Sequence, residues 1–173
     1  MDQHIQNSSA HIAPLNTPLD VFFQSFHGFD YDRELSPSQL FTQLQRFNGW
    51  RRHNPTEKAA WALYQSALEE EVKLWFGAED DLGSWHSLCR ALEIKPLPMT
   101  CAQGVKSVRG VFVNIIDLLE WARSDKKQIR VRMFPSLAEL RDYTKRTGKI
   151  FHNKLGSDDN ENVVLRHLLR FIF

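Results

Sequence analysis

His86-Ser87-Leu88-Cys89 sets two soft metal-binding side chains one helical turn apart, and Cys101 follows twelve residues later. Imidazole and thiolate are zinc ligands, and a structural zinc site needs four of them in a closed tetrahedron. No spacing selects a fourth here; His53 and Asp80 are arbitrary choices. Cys89 falls on the apolar side of its segment with Trp85 and Leu92, so a buried thiol is the simpler account. Either cysteine beside a histidine would form a thiolate nucleophile, yet neither stands in a cysteine-protease context. The chain has no Gly-x-Ser-x-Gly elbow, no Walker loop and no Gly-x-Gly-x-x-Gly after a strand. Glu69-Glu70-Glu71 and Glu79-Asp80-Asp81 offer paired carboxylates for acid–base work. The first run reads as a solvated helix face, the second as a helix start favoured by the helix dipole. The residues therefore name no catalytic group, no metal ligand and no cofactor.

Two other constellations point to binding. Lys126, Lys127, Arg130 and Arg132 interleave with Ile129, Val131 and Phe134, and Arg141, Lys145, Arg146 and Lys149 continue the basic character. On one face these cations would track the phosphates of a nucleic acid; the bland alternative is a solvated basic rim. Trp50 and Trp121 are the large rings least tied to a stripe, and exposed together they would anchor a protein partner. Buried separately, they are ordinary core.

The elements that must carry these residues are helices. A small polar residue stands three places before Gln or Glu at Ser36, Asn54, Thr100 and Ser136, the pattern of a capping box. Helices are predicted over Pro37–Phe47, with Leu40, Leu44 and Phe47 on one face, and over Pro55–Phe76, with Trp61, Tyr64, Leu68, Val72 and Trp75 as its stripe. A third follows Asp81, burying Trp85, Leu88, Cys89 and Leu92, and stops before Pro96 and Pro98. Another opens at Thr100 and is interrupted near Gly104 or Gly110. Val111 to Arg123 repeats the helical set at Ile115, Leu118, Leu119 and Ala122. Ser136 to Thr147 and a C-terminal stretch from Val164 to Ile172 complete the series. Ile129, Val131 and Met133 alternate at strand period, but with no evident pairing partner an extended linker is expected. Phe22, Phe23, Phe26, Phe29 and Tyr31 should fold back as a lid on the core. The expectation is an all-α fold: one irregular, orthogonally packed domain of six to eight helices over residues 18–173, behind a flexible tail, 1–17.

Composition agrees. The chain has 173 residues, 42% hydrophobic and 25% charged, with twelve Phe and five Trp. A chain of that size buries a core without metal or disulfides. Two cysteines fit a reducing compartment, the N-terminus lacks the apolar run of a signal peptide, and no apolar stretch reaches membrane-span length. No membrane is implied, and the expected home is cytoplasm or nucleus. Net charge is +1, but the first 122 residues carry 15 acidic and 10 basic side chains, the last 51 carry 6 and 12. The two parts attract each other across one fold, or the basic part meets an anionic partner.

At Phe112-Val113-Asn114-Ile115-Ile116-Asp117-Leu118, Phe134-Pro135-Ser136-Leu137-Ala138-Glu139-Leu140, Tyr143-Thr144 and Lys149-Ile150-Phe151, the chain resembles a group of small, largely uncharacterised filamentous-fungal proteins. The likeness extends to the Phe22–Tyr31 rings and Trp50, and covers about residues 20–172. It implies a fungal source and an intact helical domain, and supplies no catalytic residue. The function expected from the sequence is a non-enzymatic intracellular protein-interaction or scaffold domain. The alternatives are a nucleic-acid-associated accessory protein using residues 126–149 and an accessory protein of a fungal metabolic pathway.

Overall fold

Residues 16–124, 130–152 and 164–169 are described by a computed structural model of the chain. They form seven α-helices, a two-stranded ribbon and one 3₁₀ turn, packed as a helical domain. The tail before Asn16, the acidic loop at 156–161 and the end of the expected C-terminal helix lie outside the described residues.

Helix α1 spans Pro18–Gln24. Thr17 is its buried cap: the hydroxyl accepts from the Asp20 N–H, and the Asp20 carboxylate accepts from the Thr17 N–H. Thr17, expected in the tail, is thus part of the packed fold. The Leu19 N–H reaches Glu71, while the Phe22 and Phe23 rings meet Tyr64. Helix α1 thus runs antiparallel to α3 (Pro55–Phe76), the longest element. Phe22 and Phe23 are buried, and Phe26, Phe29 and Tyr31 pack behind them, so the ring cluster does close over the core.

Helix α3 also contacts α4 (Leu82–Ala91), α6 (Ile115–Arg123) and the 3₁₀ turn Val164–His167. Its centre is buried as expected at Tyr64, Leu68 and Val72. Trp61 and Trp75 depart from expectation. They lie on the flanks of the stripe and are only half-buried. Helix α2 (Pro37–Phe47) buries Leu40, Phe41 and Leu44, but its last residue, Phe47, is 51% exposed. In α4 all four expected core residues are buried, and Asp81 caps the helix by accepting from the Gly83 and Ser84 N–H groups.

Helix α5 (Cys101–Val108) passes through Gly104 without a break and ends before Gly110. Gly104 is required by contact rather than by backbone freedom. A Cβ there would lie 2.6 and 2.7 Å from Cγ and Cε3 of Trp85, so the missing side chain lets α5 sit on the indole. The end of the strand-period segment does find a partner, while Val131 lies outside the strand and Ile129 outside the described residues. Met133–Phe134 (β2) pairs antiparallel with Phe112–Val113 (β1), Phe112 opposite Phe134. Helix α7 (Leu137–Thr147) rests on this ribbon and ends at Gly148, whose φ of 68° is the left-handed cap glycine tolerates best. The expected C-terminal helix appears, within the described residues, as a 3₁₀ turn with Val164, Leu165 and Leu168 fully buried.

The acidic run on α3 is the largest correction. Glu71 is not solvated: it is 0% exposed, and Arg123 Nη1 donates to its Oε1 at 2.5 Å. The same guanidinium donates to Asp20 at 2.9 Å, to the Tyr31 hydroxyl at 2.8 Å and to Thr17 Oγ1 at 2.9 Å. Trp75 Nε1 donates to Glu71 at 2.8 Å, and the Tyr31 hydroxyl donates to Asp20. Burial pushes the Asp20 carboxyl up, but the bonds from Tyr31, the Thr17 N–H and Arg123 outweigh it and hold it below the usual range. Arg123 closes a stripe on α6. Asn114, Asp117, Glu120 and Arg123 recur every third residue, and each binds a segment outside that helix. Asn114 caps α6 and donates to Thr144 and to the Lys149 carbonyl. Asp117 and Glu120 hold the Lys149 ammonium at 2.6 and 2.8 Å. The Ser36 hydroxyl donates to Glu120.

Candidate binding site at the end of α2

The last turn of α2 sets the site. The Trp50 N–H donates to the Gln45 carbonyl at 3.0 Å and the Gly49 N–H to the Arg46 carbonyl at 3.1 Å. Gly49 has φ of 63°. These paired bonds, with a left-handed residue between them, are a Schellman termination. It folds Trp50 back toward the helix, where its ring meets Phe26 edge-on at 5.9 Å. Trp50 is half-buried: one side rests on the core, the other walls a concavity of about 520 Å3. Thr42, Gln45, Arg46, Gly49 and Arg52 complete the wall, and none of the described residues that line it carries a carboxylate. Gln45 is held in place by donating to Glu57 at 3.0 Å. Arg46, Arg51 and Arg52 are exposed and carry no ion pair among the described residues. The next residue, His53, takes φ of 70°, uncommon for a side chain with a Cβ.

The arrangement suits recognition rather than reaction. Guanidinium groups are planar forks that match carboxylate or phosphate oxygens, and an indole supplies flat, desolvating area beside them. No nucleophile and base converge there. Elsewhere, His86 Nε2 lies 2.8 Å from the Pro98 carbonyl; a carbonyl only accepts, so that nitrogen carries the hydrogen. Burial pushes the Cys89 thiol up, away from the reactive thiolate. Among the described residues no three His, Cys, Asp or Glu side chains cluster to hold a metal ion.

The structure does not gather the other expected site residues into one surface. Trp121 is half-buried against the core on α6. Lys126 and Lys127 lie outside the described residues. Arg130 is exposed and pairs with Glu93 at 3.1 Å. Arg132 sits over the Phe134 and Tyr143 rings, 4.7 and 5.7 Å from their centroids. Arg141, Lys145 and Arg146 are exposed on α7, interspersed with the exposed Glu139 and Asp142. Lys149 turns inward: burial pushes its ammonium down, but the bonds to Asp117 and Glu120 prevail and hold it above the usual lysine range.

Arg46 and Arg52 were not among the residues expected to bind; of this site only Trp50 was. The available signal was Asn48-Gly49 at the end of an apolar stripe: a Schellman turn at Gly49 brings the next residue back beside the last helical turn. No family model matches the chain, and no curated protein or solved structure matches it either.

Proposed function

We propose that this chain is a non-enzymatic intracellular protein-interaction module that captures an acidic segment of a partner protein at Trp50. The observation that carries this reading is the concavity itself: an anchored indole with Arg46 and Arg52, and no carboxylate among the described residues that line it. Desolvated Trp and Arg side chains dominate binding energy at protein interfaces. Arginines without an internal partner are free to pair with a ligand's carboxylates. A peptide source is favoured over nucleic acid because the basic area is short. The longer basic run at 126–149 is divided by Glu93, Glu139 and Asp142 and loses Lys149 to the interior.

The test is fluorescence anisotropy of the full chain against a short labelled peptide alternating Glu and Leu, with labelled mixed-sequence RNA and DNA as competitors. The peptide should bind in a salt-dependent way. Trp50→Ala and Arg46→Glu should each weaken it about tenfold or more, which is 1.4 kcal/mol. Binding of nucleic acid but not peptide, reduced by Arg141→Glu and Lys145→Glu, would replace this reading with the nucleic-acid one.

A further inference from the structure

A second concavity, independent of Trp50, lies at the end of α4. The helix closes by the same device as α2: the Ile94 N–H donates to the Cys89 carbonyl at 2.8 Å and the Glu93 N–H to the Arg90 carbonyl at 3.1 Å. The left-handed position between them is taken by Glu93, with φ of 55°, where a glycine would be unstrained. A side chain held at that position is one sign of a functional site, since strain of this kind persists only where the surroundings enforce it. Beyond it the chain bends at Lys95 and Pro96 and returns to α4, where the bond from His86 to the Pro98 carbonyl pins it. The space between helix end and returning segment measures about 560 Å3. That is the size of a small-molecule site.

Its chemistry is two-layered. Ile94 and Leu97 supply an apolar floor, with the fully buried Cys89 behind them. Arg90, Lys95 and Arg130 stand at the rim with one carboxylate, Glu93. Arg90 and Lys95 are exposed and have no ion-pair partner among the described residues. Arg130 does pair with Glu93, but their side chains are 83% and 56% exposed. An exposed pair of that kind adds little stability, so an incoming anion can take over the guanidinium. The helix end itself is negative; three cations over one carboxylate reverse that sign.

We infer that this concavity binds a small anionic amphiphile: a carboxylate or phosphate head held at the basic rim, with a short apolar chain against Ile94 and Leu97. The head needs the rim and the chain needs the floor, so neither acetate nor a neutral amphiphile has the full set of contacts.

The experiment is isothermal titration of the full chain with octanoate, octyl phosphate, octyl glucoside and acetate, each below its micellar concentration. Octanoate or octyl phosphate should saturate a single site, and whichever binds more tightly identifies the head group. Octyl glucoside and acetate should bind at least tenfold more weakly. Arg90→Gln and Lys95→Gln, both at exposed positions and checked by unchanged melting, should each weaken the tighter ligand severalfold, and the pair together at least tenfold. Trp50→Ala should leave the titration unchanged, which separates this site from the one at α2. Equal binding of octyl glucoside, unchanged affinity in the double variant, or no saturation by either anionic amphiphile would overturn the inference.

Discussion

Replacing Arg123 by Ala removes one side chain and strands two others. The guanidinium donates to Glu71, Asp20, Tyr31 and Thr17. Its two carboxylate partners are 0% and 2% exposed, so water does not take over the lost bonds. Breaking a buried ion pair from one side costs about 3–5 kcal/mol, most of it the penalty of an uncompensated buried charge. For a domain of this length each kcal/mol lowers the melting point by about 2–4 °C, so Arg123→Ala should melt about 6–20 °C below the native protein. Urea unfolding followed by circular dichroism measures the free energy directly. A triple variant, Asp20→Asn, Glu71→Gln and Arg123→Met, should recover part of the loss. It removes the stranded charges, but the single amide oxygen of Gln at position 71 accepts from only one of the two groups that bind Glu71, the Leu19 N–H and the Trp75 indole.

The pH dependence separates charge from packing. In the native protein Asp20 is held below its ordinary value, so its contribution is complete above the unfolded carboxylate pKa and is lost as pH falls through the lower folded value. Without Arg123 the Asp20 carboxyl loses one of the groups that hold it low, while the burial that pushes it up remains. The variant then gains relative to the native protein as pH falls, and its deficit should be larger at pH 7 than at about pH 4. An Arg123→Ala protein within about 1 kcal/mol of native, the ordinary cost of a point substitution, would refute the buried network. So would a deficit that does not change with pH.

Gly104→Ala should destabilise by about 1–3 kcal/mol through overpacking on Trp85, despite alanine's better helix propensity; the urea midpoint will show it. Lys149→Met should cost about 1.5–3 kcal/mol, the worth of hydrogen bonds to charged groups, whereas Arg141→Gln should fall within about 0.5 kcal/mol of native. Because the Lys149 ammonium is held above its usual range, its contribution should be undiminished at about pH 9 and fade only as pH rises beyond the ordinary lysine value, which melting at both ends of that window tests. Trp85→Ala should lose about 3–5 kcal/mol, the cost for a fully buried large ring; Trp61→Ala should lose clearly less in the same assay, since Trp61 is half-buried.

The helix starts and most helical stripes were legible because caps and apolar periodicity are local signals. Ser36, Asn54, Thr100 and Ser136 each stand where a helix begins. Polar burial was not legible in the same way. Successive helical residues are separated by about 100°, so Glu69-Glu70-Glu71 spans roughly 200° and cannot all face water on a helix packed along one side. Which of the three turns inward depends on where α1 lies, and that is tertiary information. The same holds for the ribbon. Two residues, Phe112 and Val113, are too few to show a strand period, so Met133 and Phe134 had no visible partner. Trp61 and Trp75 fit the spacing of the α3 stripe, but spacing does not say how far a neighbour extends over its edges.

The uneven charge along the chain takes a definite form in space. Arg123 pairs with Asp20 and Glu71, Arg130 with Glu93, Lys149 with Asp117 and Glu120, and Arg166 with Glu79. Every one of these cations comes from the basic last 51 residues, and every one of these acids from the acidic first 122. The asymmetry that suggested an anionic partner is thus spent, in these pairs, on joining the end of the chain to its beginning. Among the described residues, cations with no ion pair stand in the acid-rich part as well: Arg46, Arg51 and Arg52 around Trp50, and Arg90 and Lys95 beyond α4. Net charge over a stretch of sequence is therefore a poor guide to where this protein meets an anion. The better guide is a cation placed where the chain reverses at a helix end, with an apolar side chain beside it and no carboxylate of its own to hold.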